Sequence, residues 1–185
     1  MSENFKNYIA GERIYLREVQ IEDANDNYCR WMNDPEVTRF TESRFSDYTI
    51  EKLKDYIRYI TSNNDNIFFA IVLKDNNTHI GNIKIGSINW IHRFSETGLI
   101  IGEKKCWGKG YATEAIKLAC EYAFRQVDLH KLLAGCYINN KGSIRAFEKA
   151  GFTLEGTLKK HFLYKGEYID SVILSKIQNP EFKPL

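Results

Sequence analysis

Leu99–Arg125 reads LIIGEKKCWGKGYATEAIKLACEYAFR, and its order of strand, glycine loop and helix decides the fold. Leu99-Ile100-Ile101 is a short apolar run of strand type, and Gly102-Glu103-Lys104-Lys105 ends it. After Gly108-Lys109-Gly110, apolar residues recur at Ala112, Ala115, Ile116, Ala119 and Ala123, one face of a long helix. A helix start leaves N–H groups without intrahelical partners, and the helix dipole sets partial positive charge beside them. The glycines keep Cβ atoms out of the path of a bulky anion. A phosphate or pyrophosphate is the natural guest of such a loop.

Two common phosphate motifs do not fit. The dinucleotide fingerprint needs a third glycine where Thr113 stands. Counted from Gly102, the P-loop pattern would put its second glycine at Trp107 and its lysine at Gly108.

The 185 residues suit one domain, which can bury roughly 70% of its unfolded surface. A hydrophobic content of 43% and a charged content of 27% are those of a globular protein. The net charge of +2, without a basic block, gives no nucleic-acid footprint. Ile67–Leu73, the longest apolar run, is too short to span a bilayer. The start MSENFKNYIAGER lacks the apolar core of a signal peptide. Cys29, Cys106, Cys120 and Cys136 have no Cys-x-x-Cys spacing, so free thiols in a cytoplasmic protein are expected, with no metal site. Cys106 lies in the loop without a neighbouring histidine and reads as passive.

Along the chain, Glu12–Arg17 alternates as a first strand. A helix starts at Ile21-Glu22-Asp23, carries Tyr28, Trp31 and Met32, and stops at Asn33-Asp34-Pro35. Glu36–Phe45 reads as a loop or short helical turn, and Thr49–Thr61 as an amphipathic helix. Strands are expected at Ile67–Leu73, Thr78–Ile85 and Glu96–Ile101, with Lys74–Asn77 as a turn; short links make them an antiparallel meander. After the long helix come a strand at Lys131–Ile138 and a helix at Lys141–Ala150 ended by Gly151. Phe152–Leu158, Lys160–Tyr164 and Glu167–Leu174 read as closing strands, with Lys165-Gly166 as a turn. The tail from 177, above all Asn179–Leu185, reads as loose. A helix crossing between Glu96–Ile101 and Lys131–Ile138 makes those two strands a parallel pair in an α/β fold with a mixed sheet.

Lys105-Cys106-Trp107-Gly108-Lys109-Gly110, followed by Tyr111-Ala112-Thr113-Glu114-Ala115, resembles the acyl-CoA loop of the GNAT acyltransferase superfamily, Gln/Arg-x-x-Gly-x-Gly/Ala, with Lys105 at the first position. Asn140–Phe152 resembles the Asn-x-x-Ser…Lys-x-Gly-Phe segment of the same superfamily. Ile91-His92-Arg93…Glu96, Glu155-Gly156-Thr157-Leu158 and Gly166-Glu167-Tyr168-Ile169-Asp170 resemble the branch of ribosomal-protein-alanine and spermidine N-acetyltransferases. The likeness runs from Arg13 to about Leu174. It implies a mostly antiparallel central sheet flanked by helices, with the parallel pair splayed at the cofactor site. It also implies a single N-acetyltransferase domain over 1–185, with its core about 12–176.

The implied reaction is transfer of an acetyl group from acetyl-CoA to an amine. The pyrophosphate is expected on the N–H groups of Trp107, Gly108, Lys109, Gly110, Tyr111 and Ala112. The pantetheine arm should pair with the backbone of Leu99, Ile100 and Ile101 as an added strand would, with a backbone N–H there for the developing oxyanion. Asn140 and Phe147 are further cofactor contacts, and Ser143 is the candidate for the leaving-thiolate side. Asn140 and Ser143 are also good residues to cap the helix that begins there. The spermidine branch often has an acidic tyrosine one turn later; Phe147 stands there and cannot donate. For the base, two residues compete: Glu96, directly or through a water, and His161, an imidazole suited to proton transfer near neutral pH.

The acceptor is expected on the side of the N-terminal helices, where Trp31, Arg39 and Phe40 are candidate contacts beside Arg44, Phe45 and Tyr48. Core packing for the aromatics and solvation for the arginines explain the same residues. The expected acceptor is a small-molecule or peptide primary amine, with a polyamine as the alternative and a homodimer left open. A non-catalytic acyl-CoA sensor is the competing class.

Overall fold

A computed structural model describes residues 8–178. They form one eight-stranded sheet in the order β1-β2-β3-β4-β5-β6-β8-β7. The strands are β1 (Tyr8–Ala10), β2 (Ile14–Glu18), β3 (Asn66–Leu73), β4 (His79–Asn89), β5 (Phe94–Ile101), β6 (Lys131–Tyr137), β7 (Thr153–Tyr164) and β8 (Glu167–Ile177). The helices are α1 (Asp26–Asn33), α2 (Pro35–Thr38), α3 (Ile50–Thr61), α4 (Tyr111–Arg125) and α5 (Lys141–Lys149). Every neighbouring pair is antiparallel except β5 and β6. The exception follows from α4, which carries the chain back over the sheet before β6 begins.

The sheet has a core on each face. α4 and α5 cover one, where Ala115, Ile116, Ala119 and Ala123 pack on Ile83, Ile85 and Leu132. The alanines let α4 lie close to the strands. α1 and α3 cover the other, where Leu53, Ile57 and Ile60 meet Phe68, Ala70 and Val72. Thr49 caps α3 by accepting from the Lys52 N–H at 3.2 Å. None of the described helices is long and apolar enough to cross a membrane.

Several boundaries differ from the sequence reading. The first helix breaks into a 3-10 turn (Ile21–Asp23) and α1, because Asn25 caps a new start by accepting from the N–H groups of Asn27 and Tyr28. Glu36–Phe45 contains the end of α2, capped by Asp34 with Pro35 in its first turn, and a 3-10 turn at Glu42–Phe45. The two strands expected over Phe152–Tyr164 are one strand, irregular where the register shifts between Leu158 and Phe162. There Lys160 has φ 49° and its N–H donates to Asp170 Oδ1 at 2.9 Å. Lys165 and Gly166 both have positive φ, 52° and 84°, as a tight hairpin turn requires. β1 lies N-terminal to the expected core, and β8 runs to Ile177, so the tail begins later than expected. Met1–Asn7 and Asn179–Leu185 lie outside the described residues, and with them the first seven residues of the start read above for a signal peptide and most of the tail.

Candidate active site

β5 and β6 pair only over Phe94–Glu96 and Lys131–Leu133. Beyond that point they part, although β5 continues to Ile101 and β6 to Tyr137. A cavity of about 600 Å³ opens in the gap. Gly98–Ile101 line one side, and Gly135, Cys136 and Tyr137 the other. Each strand leads to a helix start at the same opening, α4 after β5 and α5 after β6.

The α4 start is built from backbone. Gly108 and Gly110 have φ 73° and 85°, and Gly110 is the N-cap without a side-chain cap. Among the described residues, the N–H groups of Gly108–Ala112 donate to no backbone carbonyl outside helices and strands and to no side chain. A Cβ built on Gly108 would meet nothing within 4 Å, so the loop is open on that side. Trp107 closes it onto β5, its Nε1 donating to Ile101 O at 2.7 Å. Glu114 ties the first turn of α4 to β2: it accepts from the N–H groups of Arg13 and Ile14 at 2.8 and 3.2 Å and pairs with Arg13 Nε at 3.0 Å. Burial raises the Glu114 carboxyl, but these donors outweigh it and leave the group below its usual range. Arg13 also donates to Lys109 O at 2.8 Å and covers the Tyr111 ring.

At the α5 start the cap is Asn140, whose Oδ1 accepts from the Ser143 backbone N–H at 3.2 Å. The Ser143 hydroxyl is therefore not the cap. It lies on the cavity, 3.4 Å from Cys136 Sγ. Burial pushes the Cys136 and Cys106 thiols up, so neither favours the thiolate a nucleophile needs. Phe147, 2% exposed, lines the cavity and packs edge-on against Phe152.

Cross-strand register orders the acceptor face. Three successive rows are Asn66–Gly86–Glu96–Leu133, Phe68–Lys84–Gly98 and Ala70–Asn82–Ile100. Glu96 thus shares a face with Gly98, about 7 Å along the strand. It is exposed, outside the cavity lining, and in no ion pair with Arg93, which pairs with Asp128 at 2.6 Å. His161 is exposed in the irregular stretch of β7, also outside the lining. The structure does not bring Glu96, His161 and Ser143 together.

The acceptor candidates separate too. Arg39 and Phe40 line the cavity, Arg39 over the Phe40 ring. Trp31 does not: it is 1% exposed, its Nε1 donates to Glu103 at 2.9 Å, and its ring lies against Gly102. A buried indole needs an acceptor for its N–H, and Glu103 supplies it from the loop before α4. Sequence reasoning missed Asn82, Lys84 and Tyr137. Two polar residues spaced by two on a central apolar strand were the available signal for the first pair. Tyr137 accepts from Arg44 Nη1 at 2.7 Å and donates to Glu42 at 3.0 Å, which pins the Glu42–Phe45 turn to β6. Arg44 also donates to Leu163 O at 2.9 Å. No cluster of metal-ligating side chains occurs among the described residues.

A splayed parallel pair with a glycine-started helix on its open side is an acyl-CoA site, and the family model of the GNAT acetyltransferase domain matches residues 13–153. The chain belongs to the GNAT family and is an acetyl-CoA-dependent N-acetyltransferase. It is 31% identical over 181 residues to the probable N-acetyltransferase YjcK of Bacillus subtilis, covering 94% of this chain and 98% of that one. To the spermidine N(1)-acetyltransferase of Escherichia coli K12 it is 30% identical over 168 residues, 91% of this chain and 83% of the relative. Its fold is that of the Vibrio cholerae spermidine N-acetyltransferase solved with CoA and spermine, at TM-score 0.80 and 24% identity over 90% and 96% of the chains. A ribosomal L7/L12 α-N-protein acetyltransferase, RimL, shares it at TM-score 0.83 and 16% identity over 93% and 98%.

Proposed function

We propose that this protein acetylates a primary amine of a small molecule by direct transfer from acetyl-CoA. The carrying observation is that two helix starts and the open edge of β5 meet in one cavity. Bound acetyl-CoA supplies the activated acetyl thioester. The N–H groups of Trp107–Ala112 would hold its pyrophosphate, and the backbone of Leu99, Ile100 and Ile101 its pantetheine arm. Asn140 and Phe147 flank the end of that arm, and Ser143 Oγ–H donates to the leaving sulfur.

On the acceptor side, Arg39 and Phe40 stand at the cavity wall. Glu96 takes the amine proton through a water, since its face leads to Gly98 while about 7 Å separates the two positions. His161 has no such path along the cavity. A walled cavity and the relatives named for spermidine favour a small molecule over a protein terminus. Four unpaired cysteines fit a reducing cytoplasm. Self-association is read separately by sedimentation, because Leu154 and Leu158 on edge strand β7 are exposed.

The test is thiol release from acetyl-CoA against a panel of primary amines, with mass spectrometry of the products. Stoichiometric N-acetylated product is expected. Tight acetyl-CoA binding without product from any amine would make the chain a sensor instead.

A further inference from the structure

The acceptor half of the cavity is walled by Tyr28, Met32, Tyr48, Leu53, Tyr56 and Phe68. Into this apolar space β4 directs two polar side chains, Asn82 and Lys84, which the transfer reaction does not use. Asn82 is 2% exposed, and its Nδ2 has no hydrogen-bond partner among the described residues. The Tyr28 hydroxyl stands beside it as the nearest acceptor.

The amide's orientation is fixed by its neighbour. His79 Nε2 lies 2.9 Å from Gly81 O and 2.9 Å from Asn82 Oδ1. A ring nitrogen facing a backbone carbonyl carries a hydrogen, so the Asn82 atom it meets is the oxygen. The N–H₂ is therefore the end turned to the Tyr28 hydroxyl, closed off from the cavity. A buried donor is costly to leave unpaired, so this amide belongs to the wall and a ligand's charge is left to the cations.

The charges point the same way. Lys84 has no ion-pair partner among the described residues. Its stem lies over Gly86, and the nearest carboxylate by register, Glu96 opposite Gly86, is not within 4 Å of it. Arg39 likewise has no carboxylate partner. Glu36, the only carboxylate on the lining among the described residues, is tied to Lys104 at 3.1 Å. A polycation entering this space would meet two cations on the lining, whose carboxylate is already paired, with Glu96 standing outside it.

Resting on the transfer reading above, we propose that the acceptor is an amine that also carries a carboxylate, held by Lys84 Nζ. Lys84 stands opposite Gly98 at the mouth of the splay, so it reads charge beside the reacting amine. It is a specificity residue for the acceptor.

The test uses three matched primary amines: 4-(aminomethyl)benzoate, its amide, and 4-(aminomethyl)benzylamine. Wild type is expected to use the acid over the diamine by about tenfold or more in kcat/KM, with the amide between them. Lys84→Glu should reverse the order, and Lys84→Met, which keeps the apolar stem, should flatten it. Equal use of acid and diamine by wild type, or an unchanged ratio in both folded variants, would overturn the proposal. Calorimetric titration of the same compounds into the CoA-loaded protein reads the preference without turnover. If the acid binds and none is acetylated, the proposal stands and the transfer reading fails; equal binding sinks the proposal itself.

Discussion

Gly108→Val separates backbone strain from ligand exclusion. Gly108 has φ 73°, a region that costs an L residue about 1–2 kcal/mol. No atom stands within 4 Å of the added Cβ, so the Cβ itself adds no clash to the strain. For a domain of this size that loss lowers Tm by about 2–8 °C. The new methyl groups project on the open side of the loop, where the pyrophosphate is expected. Losing one or two charge-assisted N–H contacts at about 1.5–3 kcal/mol each weakens acetyl-CoA binding by roughly a hundredfold. Calorimetric Kd and a melting curve on the same preparation read the two effects. A Tm that falls while Kd stays within about threefold of wild type would refute the reasoning, because it would put the phosphate elsewhere.

Ser143→Ala should lower kcat by about tenfold or more with little change in Tm, since Asn140 caps α5 through the Ser143 backbone rather than its hydroxyl; unchanged turnover removes Ser143 from the mechanism. Glu96→Gln should lower the neutral-pH rate by about two to four orders of magnitude, recovered in part at higher pH, while His161→Gln leaves the pH–rate profile intact. The opposite pattern would make His161 the base. Gly102→Ala should destabilise by about 3 kcal/mol, because its Cβ would lie 2.1 Å from Trp31 Cδ2 and the indole is buried on every side; denaturant titration followed by tryptophan fluorescence measures it. Burial raises the Asp23 carboxyl, but Arg17, bonded at 2.6 and 2.7 Å, and the Gln20 N–H bring it below its usual range. A carboxyl lowered in the folded state adds stability above the unfolded value of 3.8 and loses it as pH falls further. Stability-versus-pH curves should show a shallower acid limb in Asp23→Asn than in wild type, because Glu114 and other lowered carboxyls keep theirs; the variant is also weaker by about 3 kcal/mol at neutral pH.

The stretch from Leu99 to Arg125 carried the fold because its signals are local. Strand, glycine loop and helix are set by side-chain periodicity and by two backbone positions that only glycine adopts easily. Asn140 was legible as a cap for the same reason: a cap acts on the next three residues. The missed strand β1 is three residues held by pairing with β2, a long-range bond that no local pattern announces.

What the sequence by itself determined was the mixed sheet, the two amphipathic helix layers and the glycine-started α4. All follow from the spacing of apolar residues and from turn chemistry within a few positions. Only the tertiary structure decided which residues reach the cavity. Trp31 and Phe40 look alike in the sequence, yet one is buried under Gly102 and the other lines the acceptor wall. Glu96, His161 and Ser143 come from three elements, and their separation depends on where β5 leaves β6 and how β7 bulges at the sheet edge. Asn82 turns its N–H₂ to the Tyr28 hydroxyl only because His79, turned by its own backbone contact, claims the amide oxygen. Such distances are set by register and packing between segments far apart in the chain, and residue type alone does not encode them.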